Sequence, residues 1–200
     1  MQRAVGEAVE RPFHSAPNWR TSSRLAAASS FHVKQKGYAF SPALSPHLAA
    51  RDDGVEIRPE AVAQLVRDAR EQADEVVVEL AGGLFSPISD GLFNADLAAR
   101  LRPDAILLVA PDRLGVLHDV TATLRAAFAT PLRITGVVLV TPEHPDASTG
   151  RNAGELARLT GVPVLAVLPR GTPSALAELP GVAQIVEAVA GRAQPSLSAG

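Results

Sequence analysis

Four short runs of aliphatic and β-branched residues constrain this chain more than any other feature. They are Val76-Val77-Val78 and residues 105–110, 134–140 and 162–168. None alternates with polar residues, so each reads as a strand buried on both faces. Segments with a helical period separate them, at residues 94–101, 115–129 and 150–160, with a last amphipathic helix at 182–189. A further helix at 59–73 precedes the first run. Its Ala61, Val62, Leu65, Val66 and Ala69 share one face, and Arg67, Asp68, Arg70 and Glu71 lie mainly opposite. Buried strands alternating with helices predict right-handed crossovers and a parallel β-sheet flanked by helices, an α/β fold in three layers.

The first part of the chain differs. Residues 1–37 show no sustained strand or helix period, although 23–29 could form a short Ala-rich turn of helix. Punctuation becomes regular from Ser41. Ser45 before Pro46 is a good helix start, and Asp53-Gly54 marks a turn. The division is therefore an irregular segment 1–37, an α/β domain 38–191 and a flexible tail 192–200. Two hundred residues suffice for one such domain. With 46% hydrophobic but only 4% aromatic residues, its core must rest on Ala, Val, Leu and Ile.

The same composition narrows the function. A net charge of −2 argues against a nucleic-acid binder, and the lack of cysteine excludes disulfides, thiol catalysis and thiolate-bound metals. No run of about 18 apolar residues predicts a membrane span, and no signal core opens the chain, so the expected location is the cytoplasm. Residues 11–51 hold Arg, Lys and Ser but no acidic residue, as in some organellar transit peptides. Pro12, Pro17 and Pro42 oppose the amphipathic helix that such a peptide needs.

In parallel sheets ligands bind beyond the carboxyl ends of the strands, so the strand exits carry the candidate chemistry. The first leads into Glu79-Leu80-Ala81-Gly82-Gly83-Leu84-Phe85-Ser86-Pro87. The glycines would let backbone N–H groups approach an anion, and the carboxylate could hold Mg²⁺; a plain Gly-Gly turn with a solvated Glu fits as well. The second leads into Pro111-Asp112-Arg113-Leu114-Gly115-Val116-Leu117-His118-Asp119, a loop opening a helix whose first N–H groups are free for an anion. An ordinary loop-to-helix joint is the alternative. The third and fourth exits are Val140-Thr141-Pro142-Glu143-His144-Pro145 and Leu168-Pro169-Arg170-Gly171. His118 and His144 have no metal-ligand spacing, and neither Gly-x-Ser-x-Gly nor His-Glu-x-x-His occurs.

Taken in order, these loops resemble the dethiobiotin synthetase family. Residues 78–87 are similar to its Val-Glu-Gly-Ala-Gly-Gly signature, and Ser45-Pro46-His47-Leu48-Ala49-Ala50 to its Ser-Pro-His element. Leu114-Gly115-Val116-Leu117 is similar to its Leu-Gly-x-Ile helix opening, and Gly161-Val162-Pro163-Val164-Leu165 to its final strand entry. The resemblance covers about residues 38–170. It implies a homodimeric P-loop enzyme of biotin synthesis that carboxylates 7,8-diaminopelargonate, phosphorylates the carbamate with Mg-ATP and closes the ureido ring. Glu79 would help hold Mg²⁺, Gly82 and Gly83 would shape the phosphate and substrate pocket, and Ser45, Pro46 and His47 would border the diamine. Gly115, Val116, Leu117 and His118 of the partner subunit would receive the substrate's distal carboxylate.

The departures have chemical consequences. The family's opening strand and Gly-x-x-x-x-x-Gly-Lys-Thr loop do not occur in these 200 residues, nor does its Lys-Pro-x-x-x-Gly strand. Lys34 and Lys36 lack the spacing and read as solvated. Leu80 stands for a glycine, His118-Asp119 for Asn-His, and Val140-Thr141 for the Asn-Asp pair that meets adenine. Two expectations follow: an enzyme whose front end is displaced by a wrong start or frameshift, or a non-catalytic dimeric relative that kept the fold.

Overall fold

The computed structural model describes residues 44–190 together with Tyr38 and Phe40. The expected Ala-rich turn at 23–29 and the tail from 192 lie outside them. Helix α1 (Pro46–Asp52) and helix α2 (Pro59–Arg70) come first, each entered through a proline that needs no N–H partner there. A hairpin of β1 (Pro87–Ser89) and β2 (Leu92–Phe93) follows, and α3 (Asn94–Leu101) continues directly from it. Then come β3 (Leu107–Pro111), α4 (Val116–Ala127), β4 (Gly136–Val140), α5 (Asn152–Thr160) and β5 (Val164–Leu168). Helices α6 (Pro173–Ala177) and α7 (Pro180–Ala190) end the described chain.

Strands β3, β4 and β5 form a parallel sheet in that order, which bears out the expected α/β class. Its first face carries the main core. Val137 and Leu139 of β4 are fully buried against Val116, Val120 and Leu124 of α4 and Leu156 of α5, with Leu108 and Ala110 of β3 alongside. The second face is covered by α7 over β5. A Cβ on Gly181 would meet the Ala166 Cβ at 2.9 Å, so a side chain there would push the helix off the strand.

The expected strand at Val76-Val77-Val78 does not form. The segment has no ladder partner among the described residues, Val77 is 80% exposed, and Val78 is exposed as well. Apolar composition is not sufficient for a strand, because the backbone groups must also find neighbours. Strand β3 has the complementary condition. Asp112 N–H donates to Val140 O at 2.8 Å, so alternate residues bond toward β4. Leu107 and Val109 therefore present their backbone groups to an edge with no partner among the described residues. Val109, on the second face, is 61% exposed.

Other boundaries shift modestly. Helix α2 stops at Arg70, and its fully buried residue is Ala63; Ala61, assigned to the inner face by its spacing, is exposed. Residues 94–101 are helical as expected. Ser45 occupies the N-cap of α1, but its side chain makes no cap bond; its hydroxyl pairs with His47 Nδ1 at 3.0 Å instead. The β1–β2 hairpin and α6 carry no signal that the periodicity showed.

Candidate functional site

The Gly-Gly turn is built by residues that follow it. Asn94, at the start of α3 and 1% exposed, donates from Nδ2 to the carbonyls of Ala81 and Gly83, both at 2.9 Å. Gly83 N–H donates to Ser86 Oγ at 2.9 Å, and Ser86 N–H returns to Gly83 O at 2.9 Å. Gly82 sits at φ +84°, and a Cβ there would lie 2.7 Å from Ser86 Oγ. Only glycine meets both the left-handed backbone and the close approach. Leu80 and Leu84 anchor the turn against α3. Glu79, just before it, is exposed.

Helix α1 packs against β1, the strand that leaves the Gly-Gly turn. The Ser45-Pro46-His47 element and the Gly82-Gly83 turn thus share the hairpin as a common neighbour. Arg51 and Asp90 add an exposed ion pair at 3.3 Å between α1 and the hairpin turn. Such pairs contribute little.

The Gly115–His118 joint stands elsewhere, at the carboxyl end of β3. Gly115 caps α4 at φ +94°. Val116 N–H donates to Arg113 O, and Asp119 N–H to Gly115 O, while the N–H groups of Leu117 and His118 meet no acceptor among the described residues. Val116 is wholly buried, so its side chain belongs to the core; Leu117 is half-buried and His118 exposed. No hydrogen bond joins this helix start to Gly82-Gly83 or Ser45–His47.

Two aspartates that sequence reasoning missed brace the joint. Asp112 is fully buried; its Oδ1 accepts from Asn152 Nδ2 at 2.6 Å and its Oδ2 from Gly150 N–H at 2.7 Å. Its carbonyl accepts from Thr149 Oγ1 at 2.9 Å. Asp146 accepts from Leu114 N–H at 2.8 Å and from the Ser148 hydroxyl and N–H at 2.6 and 2.8 Å. The Ser148 hydroxyl, then the Leu114 and Ser148 amides, pull its carboxyl down to about 2. Together the two carboxylates tie the β3–α4 loop to the turn before α5. The sequence signal was thin: aspartate in Pro-Asp-Arg and in Pro-Asp-Ala-Ser reads as a solvated loop residue.

Among the described residues no group of three or more His, Asp or Glu could hold a metal ion. Glu79 offers a single exposed carboxylate. Mg²⁺ commonly keeps several waters and takes one or two carboxylates plus substrate phosphates, so Glu79 fits one ligand position and no more. No described helix is long and apolar enough to cross a membrane.

Comparison with known proteins is consistent in direction. The AAA domain family model matches residues 14–175. An ATP-dependent dethiobiotin synthetase BioD of Rhodopirellula baltica is 42% identical over 141 residues, which is 64% of this chain and 54% of that protein. Its counterpart in Aromatoleum aromaticum is 33% identical over 151 residues, 74% of this chain and 67% of that protein. The Brucella ovis protein of the same name is 34% identical over 167 residues, 81% of this chain and 76% of that protein. The chain thus spans little more than half of the first relative and about two thirds to three quarters of the others.

Proposed function

The chain belongs to the dethiobiotin synthetase family, and from that premise we propose that it forms the substrate-holding body of an ATP-dependent enzyme that carboxylates 7,8-diaminopelargonate and closes the ureido ring. The carrying observation is the start of α4. Two unpaired N–H groups, on Leu117 and His118, sit at the positive end of a 12-residue helix, on a joint held rigid by Asp112 and Asp146. That arrangement suits a carboxylate. No hydrogen bond links this joint to the Ser-Pro-His and Gly-Gly elements, and in this reading it acts on a partner subunit's substrate in a homodimer.

In this reading Ser45 and His47 border the two amines, with the Ser45 hydroxyl fixing the imidazole through Nδ1. The Gly82-Gly83 turn, held open by Asn94 and Ser86, lets phosphate oxygens or the carbamate approach the backbone closely. Glu79 supplies one Mg²⁺ ligand, and the ion when bound would offset charge on the transferring phosphoryl group. The setting is an ordinary cytoplasmic pathway for a small molecule.

Residues 1–200 contain no Gly-x-x-x-x-x-Gly-Lys-Thr, and phosphoryl transfer depends largely on such a cradle and its Lys. This chain alone is therefore expected to turn over ATP poorly or not at all. Leu80 and Val140, at altered positions, favour a second reading, a dimeric binding module without nucleotide chemistry. Calorimetry with Mg-ATP tests the second reading, which micromolar binding would sink, and calorimetry with substrate tests the carboxylate site. The diamine acid should bind, and its methyl ester should bind about tenfold more weakly, because a charged hydrogen-bond acceptor is lost. Equal binding of acid and ester, or no binding of either, would overturn the proposed carboxylate site. Dethiobiotin formed at an ordinary enzymatic rate would overturn the expectation of impaired chemistry.

A further inference from the structure

The other end of the sheet holds a second concentration of charge. Helix α3 runs back from the hairpin, and only five residues separate its end at Leu101 from the start of β3 at Leu107. Its last turn therefore lies at the amino ends of the strands, opposite the loops described above. There α2 and α3 border an open cavity of about 350 Å³, lined by Arg67, Arg70, Arg100 and Arg102 over an apolar floor that includes Val66 and Leu101. The floor is part of a packed cluster in which Leu97 and Leu101 meet Ala63.

One carboxylate serves four guanidinium groups. Arg100 pairs with Glu60, whose carboxyl is held below its usual range by its own backbone N–H and by Arg100. Arg67 donates twice to the neutral Gln64 Oε1, and Arg70 donates to the Arg102 carbonyl at 3.4 Å. Among the described residues no carboxylate lies within ion-pair distance of Arg67, Arg70 or Arg102. In a chain of net charge −2 this is a local excess of the opposite sign.

Cations in a last helical turn offset the helix dipole, which accounts for Arg67, Arg70 and Arg100. It covers Arg102 at the C-cap as well, but does not explain a side chain where glycine would serve. This residue caps α3 at φ +48°, the only positive φ on a non-glycine residue among those described. Glycine is usual in that conformation, and any side chain there is strained. An arginine thus stands where glycine is usual, on the rim of a cavity already short of negative charge.

We propose that the α2–α3 cavity is a binding site for a small ligand bearing a phosphate or diphosphate group, separate from the strand-exit site. Arginine's planar fork matches phosphate oxygens in pairs, and a compact group with more than one negative charge answers three unpaired guanidiniums. The Val66 and Leu101 floor would take an apolar part of the same ligand.

Calorimetry of the full chain with sodium pyrophosphate tests this at low salt. Saturable one-to-one binding below about 1 mM is expected, weakening as salt rises. The double variant Arg67→Gln/Arg102→Gln should bind about tenfold more weakly, as loss of charge-assisted bonds requires. Arg102→Gly should also weaken binding while leaving the melting temperature equal or higher, because it relieves the strained backbone. Arg125→Gln, on α4 outside the cavity, should change nothing. Absence of saturation, unchanged affinity in the Arg67 and Arg102 variants, or succinate binding as tightly as pyrophosphate would each overturn the proposal. None of these outcomes bears on the diamine carboxylate at α4, whose own test uses a different ligand.

Discussion

Val137-Val138-Leu139 and Val76-Val77-Val78 look alike as sequence and differ completely in the folded chain. The first run lies in β4 with a parallel neighbour on each side, and all three residues are buried. The second has no strand partner among the described residues, and Val77 and Val78 are exposed to solvent. Local preference is equal in the two runs, so the difference comes from neighbours. Burying a valine side chain is worth roughly 1.5–3 kcal/mol, but only where another surface is present to bury it against.

The contrast can be pressed by mutation. The largest effect is expected from Leu139→Ala, which empties a wholly buried position between α4 and α5 and should cost about 2–5 kcal/mol in urea denaturation. Val77→Ala, at an 80% exposed position, should change stability by less than about 0.5 kcal/mol. Comparable losses for the two would mean that the valine run is buried after all. Next in size is Gly82→Ala. The left-handed backbone and the 2.7 Å approach to Ser86 Oγ predict a loss of about 1–2 kcal/mol, read from the same denaturation curves. A neutral result would mean that the Gly-Gly turn does not hold its described form.

The last effect belongs to Asp146 and shows as a dependence on pH. Its carboxyl titrates near 2 in the folded chain, below its ordinary 3.8. The stabilisation is therefore fully present above about pH 4 and is lost as the pH falls through about 2. Asp146→Asn should remove that component from a pH series of thermal melts. An unaltered acid limb would show that the Leu114 and Ser148 bonds do not depend on the charge.

Much of the fold was legible because it is written locally. Residues 94–101 form a helix as their apolar period indicates, with Pro103 just beyond, and the runs at 105–110, 134–140 and 162–168 contain strands β3, β4 and β5. What was misread depends on distant partners. Val76-Val77-Val78 has a strand's composition without a strand's neighbours. Asn94, which holds the Gly-Gly turn, was missed because it reaches 11 and 13 residues back along the chain. Asp112 was passed over for the same reason, since its partners Gly150 and Asn152 lie 38 and 40 residues away. Val116, among the proposed site residues, keeps its side chain in the core.

Among the described residues the outer edge of β3 is open, and such an edge matters for how a protein is handled. Unpaired N–H and C=O groups at the rim of a flat apolar strand form a template on which another chain can assemble. Leu107 and Val109 supply that template here, and no charged side chain interrupts the strand. The last position is blunted, because Pro111 has no N–H to offer. Left uncovered, that edge would promote self-association in concentrated preparations, and Val109→Lys would act as the gatekeeper against it.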